Sequence, residues 1–134
     1  MSQPIVFISH FEVNRERLEE YVRLTDQVTR QLETEKPRTA AFLSYLDREA
    51  SRVTVVHLFA DSDAMDLHFE GADERSAIAM HYLTPTGWEI YGPASASAST
   101  MMREAAQASG ATLTVQDGYL AGFLRLSGTE DSSA

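Results

Sequence analysis

Cysteine is absent from all 134 residues, which excludes disulfide stapling, thiolate catalysis, iron–sulfur clusters and Cys-ligated zinc together. Any metal would have to sit on histidines and carboxylates. Lysine is nearly absent too: Lys36 stands alone beside ten arginines, a compositional bias that points to no site. The formal charge is −9 and no stretch concentrates Lys or Arg, so the electrostatic footprint of a nucleic-acid or anionic-lipid partner is missing. Long apolar runs are missing as well. Val53–Ala60 and Tyr119–Leu124 fall far short of the roughly 20 residues that a membrane-spanning helix needs. Met1-Ser2-Gln3-Pro4 has none of the charged start, apolar stretch and cleavage site of a signal peptide. The expected location is cytoplasmic, with no nucleic acid and no membrane as partner. There is no G-x-G-x-x-G, Walker A loop, G-x-S-x-G or H-E-x-x-H, so nucleotide, flavin, serine-hydrolase and zincin readings lack motif support. No cofactor and no metal are expected.

What is present reads as one folded domain. Hydrophobic residues make up 43% and charged residues 23% of a chain about the size of a single compact domain. The domain is expected over residues 1–126, with 127–134 a polar, flexible tail. Pro4–Val13 is an apolar run of strand length rich in β-branched and aromatic residues. Asn14 can cap a helix in which Leu18, Tyr21, Val22, Thr25, Val28 and Leu32 form one stripe, ended by Pro37. Its outer face carries Glu19/Arg23 and Asp26/Arg30, i,i+4 pairs in the favourable order. Thr39–Asp47 and Arg52–Ala60 predict an antiparallel hairpin across a four-residue loop. A second helix starts at Asp61-Ser62-Asp63 and breaks at Gly71. Asp73 recaps a further helical turn through Met80 to Leu83, and Pro85 stops it. Trp88–Tyr91 predicts a fourth strand. Ala94–Ser99 reads as a loop entering a helix over Thr100–Ala108, with Gly110 as C-cap. Thr112–Gln116 and Tyr119–Leu126 read as two strands joined through Asp117-Gly118, a strong hairpin signal.

The order β-α-β-β-α-β, followed by an extra C-terminal helix and strand, predicts an α+β, ferredoxin-like sheet with its helices on one face. The third strand carries Val53, Val55, His57 and Phe59 on one side and Thr54, Val56 and Leu58 on the other, so both sides are largely apolar. Helices on one face alone would leave a large apolar surface exposed, and a second copy would cover it. A homodimer is therefore expected.

Ile8-Ser9-His10-Phe11-Glu12-Val13 leading into a helix, then Thr54-Val55-Val56-His57-Leu58-Phe59 and Asp61-Ser62-Asp63-Ala64-Met65-Asp66-Leu67-His68-Phe69, resembles the antibiotic-biosynthesis-monooxygenase family over residues 4–93. The resemblance implies a dimeric α/β barrel in which each subunit encloses a small-molecule cavity between sheet and helices. His68-Phe69 matches the His and large apolar residue that many relatives carry on the helix after the third strand; where such relatives often repeat a His five residues on, this chain has Asp73. Oxygenases of this fold commonly use a cavity Asn, whereas the only Asn here is Asn14, at a helix cap.

Four histidines are the groups whose charge changes near neutral pH. His57 lies mid-strand between Val55 and Phe59, where it is either a base taking the proton of a phenolic substrate or a core histidine bonded to its neighbours. His10 and His57 sit on adjacent strands of a ferredoxin-like sheet and would make a two-ligand metal site only if they faced the same way. His68 either projects into the cavity or covers the sheet; His81 has no metal-motif partner. Tyr45, Phe59, Tyr82, Tyr91 and Trp88 are stacking candidates for an aromatic ligand, or core residues. Arg125 would pair with an oxyanion or face solvent. The resulting expectation is a cofactor-independent monooxygenase of a small aromatic, phenolic or quinol-like substrate. His57 and His68 are its catalytic candidates, and His10, Tyr45, Phe59, Tyr82 and Trp88 its substrate-binding ones. The alternative is a non-catalytic homodimer that binds a small molecule.

Overall fold

Ile5–Val13 (β1) alternates buried with half-buried residues over most of its length, as a strand does when one face carries the core. Asn14 then caps a single 3₁₀ turn, Arg15–Arg17, its side chain accepting from the Glu16 N–H at 3.0 Å, and the chain runs on into Leu18–Glu35 (α1). The sequence continues through Thr39–Asp47 (β2), Arg52–Phe59 (β3), Ser62–Phe69 (α2), Ala72–Ala79 (α3), Leu83–Tyr91 (β4), Ala96–Ser109 (α4) and Thr112–Gln116 (β5). This computed structural model describes residues 3–126. The expected tail, residues 127–134, lies outside the described residues.

The sheet order is β2-β3-β1-β4-β5, antiparallel except for the parallel pair β4 and β5. The fold is α+β and ferredoxin-like with an added helix and strand, as the pattern predicts. One core cluster joins Ile5, Phe7, Phe59, Trp88 and Ile90 of the sheet to Ala64 and Met65 of α2 and Ala98, Met102 and Ala106 of α4. A smaller one joins Val13, Val53 and Leu83 to Tyr21 of α1. Among the described residues no helix is long and apolar enough to cross a membrane.

Four local expectations need correction. Pro85 does not stop a helix: α3 ends at Ala79, and β4 starts at Leu83 rather than Trp88. The register against β1 shifts between His10 and Phe11, which pair with Gly87 and Pro85. A proline is tolerated in such a bulge because a ladder hydrogen bond is already interrupted there. The N-cap of α3 is Gly71 at φ 79° rather than Asp73. The small-residue run is helical from Ala96, since the Ser95 hydroxyl accepts from the Ala98 N–H and supplies the cap. Finally, Asp117-Gly118 makes no hairpin: β5 returns through α4 to pair parallel with β4, and Tyr119–Leu126 is not a strand of this sheet. The two-residue turn would require positive φ at its centre, and Gly118 has none. Among the surface pairs Asp26–Arg30 forms at 3.2 Å, while Glu19 pairs with Arg48 across to the hairpin loop.

Gly92 ends β4 at φ 111°, and a Cβ there would lie 2.5 Å from the Pro4 carbonyl oxygen and 3.1 Å from Ile5 Cα. A side chain meets both backbone strain and overpacking, each of order 1–3 kcal/mol. Gly92→Ala is expected to lose about 3 kcal/mol, read as a lowered urea midpoint at unchanged m-value.

Candidate functional site

Between the sheet and its four helices lies a cavity of about 620 Å³, within the usual range for small-molecule sites. Phe7, Phe42, Val55, Phe69, Trp88 and Met102 give it apolar walls, and α1 contributes Leu24, Val28 and Leu32. Gln27, Gln31, Asp73, Ser76 and Met101 are exposed lining residues and stand at its mouth. Two histidines, His57 and His68, lie inside, 7% and 4% exposed.

Alternation along β3 puts His57 on the helix-facing side with Val53, Val55 and Phe59. Its ring lies 5.0 Å from Phe7 and 5.1 Å from Phe42, and stacks on Phe59 at 5.9 Å. The His57 Nδ1–H donates to the Phe7 carbonyl at 3.2 Å. A carbonyl can only accept, so this bond fixes the proton on Nδ1 and leaves Nε2 as a lone-pair acceptor. Among the described residues Nε2 has no hydrogen-bond partner, and no fully buried side-chain nitrogen or oxygen lacks one. Nε2 therefore opens on the cavity. Burial lowers the imidazole to about 4, the Phe7 bond opposing and the Arg75 charge adding to the shift. It is neutral at pH 7.

His68 comes from the last turn of α2, its ring 4.9 Å from that of His57 in an edge-to-face arrangement. Its Nδ1 is 2.7 Å from the Thr39 hydroxyl, and Nε2 is left to the cavity by the same reasoning. Burial pushes it down to about 3, helped by His57, Arg75 and Lys36. Where the Thr39 hydroxyl donates, the His68 proton sits on Nε2. The cavity then holds one acceptor and one donor side by side.

Arg75, a residue that sequence reasoning missed, is the cation whose charge bears on both histidines. It donates to the His68 carbonyl at 2.6 Å and to the Glu70 carbonyl at 3.1 Å, while Lys36 donates to the Leu67 and Glu70 carbonyls. Both satisfy the C-terminal carbonyls of α2, where the helix dipole favours positive charge. Arg75 has no ion pair with a carboxylate within 4.0 Å among the described residues, and partial burial lowers its pKa. It is a half-buried cation at the wall of an apolar cavity. Periodicity could not reveal it, because Gly71 separates α3 from the helix that carries His68. Phe42 was findable: the four-residue loop sets Asp47 opposite Arg52, and counting back sets Phe42 opposite His57.

Trp88 lines the cavity. Phe59 lies beneath the histidines as fully buried core, 5.3 Å from His68, and Tyr82 packs on Tyr21 under the Arg17 guanidinium; neither reaches the cavity. His10 and Tyr45 lie on the opposite face of the sheet, beside a separate depression with Thr54 and Thr86. There His10 bonds Thr54 at 3.2 Å and Glu89 at 2.5 Å, and Glu89 accepts from the Tyr91 hydroxyl at 2.6 Å. Tyr91 first, then His10, hold Glu89 below the usual carboxylate range. His10 and His57 therefore cannot share a metal. Among the described residues no three His, Cys, Asp or Glu side chains group as a metal site. Asn14 stays at its cap, away from the cavity.

No family model and no curated relative matches the sequence. Solved structures do. MupZ from Pseudomonas fluorescens aligns with TM-score 0.66 at 13% identity over 91% of both chains. A conserved protein from Methanosarcina mazei aligns at 0.55 and 17% identity, over 66% of this chain and 89% of its own. A candidate antibiotic biosynthesis monooxygenase from Bacteroides thetaiotaomicron aligns at 0.53 and 19% identity, over 60% of this chain and 80% of its own. At these identities the likeness concerns architecture: the chain has the fold of the antibiotic-biosynthesis-monooxygenase proteins.

Proposed function

We propose that the cavity binds a small phenolic or quinol-type aromatic and that His57, unassisted by a cofactor, deprotonates it for reaction with oxygen. The observation that carries this reading is the fixed tautomer of His57, which turns an unprotonated Nε2 into an apolar pocket. A ring hydroxyl donates to that nitrogen, and an adjacent ring oxygen accepts from His68. Loss of the proton leaves an anion with carbanion character at the ring, which adds dioxygen. One oxygen atom stays in the product as a quinone carbonyl and the other leaves as water, so a phenol and O₂ balance a quinone and H₂O without an external reductant. Trp88, Phe7 and Phe69 supply the apolar contact, and Arg75 supplies positive charge for the anion.

The weak basicity of His57 selects among substrates. An ordinary phenol titrates near 10, so transfer to an imidazole at about 4 is uphill by about six pK units, or roughly 8 kcal/mol. That is too much unless the hydroxyl is acidified by conjugation with a carbonyl and the anion stays paired with His57 and Arg75. Hydroxyls of that kind are the expected substrates. The same weakness favours a second reading, a protein that binds such a molecule without turning it over.

The deciding measurement is oxygen uptake by metal-stripped protein across hydroquinones and polycyclic phenols of graded acidity, corrected for autoxidation. Uptake rising with acidity supports the oxygenase. Thermal stabilisation by the same compounds without uptake supports the binding protein. The assembly proposed for either is a homodimer. On the outward sheet face Leu43 and Tyr45 are 45% and 58% exposed beside half-buried Ile8, Val56 and Leu58, and gel filtration at twice the chain mass is expected.

A further inference from the structure

Thr54, His10, Glu89 and Tyr91 form one hydrogen-bonded chain across three strands of the outward sheet face, and the cavity chemistry uses none of them. His10 stands opposite Thr54 in the β1–β3 register, and its neighbour on β4 is Gly87. Gly87 has no side chain to fill that place, and the imidazole reaches past it to Glu89, the next residue of the same face along β4. Nε2 lies 2.5 Å from Glu89 Oε2, Nδ1 lies 3.2 Å from the Thr54 hydroxyl, and the Tyr91 hydroxyl donates to Glu89 Oε1 at 2.6 Å.

The chain has a direction. Tyr91 and then His10 hold the Glu89 carboxyl below the usual carboxylate range, so at neutral pH it is ionised and can only accept. A neutral imidazole here carries its proton on Nε2, toward Glu89. Nδ1 is left as an acceptor, and the hydrogen between it and Thr54 comes from the Thr54 hydroxyl. Carboxylate, imidazole and hydroxyl in that order are the parts of an activated nucleophile: the base is within reach of the hydroxyl proton, and a third group fixes its tautomer. Such sets recur on unrelated folds and are recognised by geometry rather than by a local motif.

A depression of about 410 Å³ opens over His10 and Thr54, bordered by Tyr45, Asp47, Arg52 and Thr86. Tyr45 stands opposite Thr54 on β2, and Arg52 shares the face of Thr54 two residues before it on β3. Among the described residues Arg52 has no carboxylate within 4.0 Å. A phenol hydroxyl and an unpaired guanidinium thus flank the Thr54 hydroxyl, each a donor suited to an oxyanion. Val56 and Leu58, part of the face proposed for a second copy, lie further along β3, and the depression stands at the polar end.

We propose that this depression is a catalytic site separate from the cavity, one that cleaves small activated carboxylic esters through an acyl ester on Thr54. The Thr54 oxygen adds to the ester carbonyl as its proton passes to His10 Nδ1, and Tyr45 and Arg52 donate to the oxyanion that forms. The adduct collapses by breaking the bond to the leaving alcohol oxygen, which takes the proton from His10. Water then adds to the acyl ester and gives a proton to the same nitrogen, and the bond to Thr54 breaks as that proton returns to the Thr54 oxygen. Ester and water give acid and alcohol, with no change of oxidation state and no cofactor. The leaving group is a phenol or an enol, since a hindered secondary hydroxyl needs a partner that departs readily. Glu89 acts through His10 and is a positioning residue.

The probe is p-nitrophenyl acetate at neutral pH, and a cysteine-free chain with one lysine keeps the background reaction low. Nitrophenol release is expected at least about 100-fold faster than from an equal concentration of imidazole. Mass spectrometry after an acid quench should find one acetyl group on the peptide that holds Thr54. Thr54→Val keeps the branched shape and loses the hydroxyl, so hydrolysis should fall about 100-fold or more, whereas Thr54→Ser should match or exceed the parent. Glu89→Gln should lower kcat by about 100-fold or more with KM changed far less, and NMR of the parent's ring nitrogens should place the His10 proton on Nε2. Hydrolysis no faster than imidazole, a Thr54→Val protein as active as the parent, or a His10 proton on Nδ1 each overturns the proposal. An acetyl group on His10 or Lys36 in place of Thr54 does so too. The site lies across the sheet from the cavity, so none of these outcomes bears on oxygen uptake.

Discussion

His57→Gln is expected to lower oxygen uptake at pH 7.5 by about 10²–10⁴-fold, the range of a lost general base, with substrate affinity changed far less. Glutamine is the informative replacement because its amide still donates to the Phe7 carbonyl, as Nδ1 does at 3.2 Å, and still fills the space between Phe7 and Phe42. What it loses is an acceptor that can become a cation. His68→Gln, which keeps a donor toward the cavity, is expected to raise KM more than it lowers kcat. If the two variants exchange effects, His68 is the base. If both retain full turnover, neither imidazole takes the proton and the oxygenase reading fails. The pH profile carries an independent signature: with His57 at about 4, kcat/KM should show no acid limb between pH 8 and about 5 from the free enzyme. An acid limb near 6.5 would mean that the working base is solvent-exposed.

Element types were legible in the sequence wherever burial is one-sided, because alternation and the helical stripe record which face meets the core. The side of His57 followed from this directly, since it shares parity with Val55 and Phe59. Placing His10 needed the register across the sheet: it pairs with Thr54, one parity step from His57, so two histidines on neighbouring strands point to opposite faces. The missed features are those that tertiary context decides. Arg75 looks like any exposed helical arginine until α2 ends beside it with unsatisfied carbonyls. Asp117-Gly118 has the chemistry of a turn, but the side chains of β5 are almost all exposed and offer a following strand little apolar surface to pack on. Tyr119–Leu126 has the apolar pattern of a strand, but it follows β5 without a turn that would fold it back, and it forms no strand.

Acid should destabilise this protein earlier than its carboxylates alone would dictate. Burial holds His57 at about 4 and His68 at about 3 in the folded chain, against about 6.5 once unfolded. Between those values the unfolded state binds more protons than the folded one, and stability rises with pH wherever that holds. The contribution is therefore complete above about pH 6.5 and is lost as pH falls toward 4 and then 3. The slope is about 1.4 kcal/mol per pH unit for each histidine, which gives roughly 2 kcal/mol apiece between pH 6.5 and 5. Both groups are more than nine-tenths buried by exposure, so solvent screens little of this. Urea denaturation at fixed protein concentration, repeated at pH 7.5 and 5, should show a loss of about 4 kcal/mol in the parent and about half that in His57→Gln, which cannot titrate. A parent equally stable at both pH values would mean that the pair is solvated, and with it that the cavity is too wet to hold an imidazole neutral by burial. A substrate anion would reverse the sign locally. By pairing with His57 it favours the protonated form, so a bound acidic phenol is expected to protect the fold most strongly near pH 5, where the empty cavity is weakest.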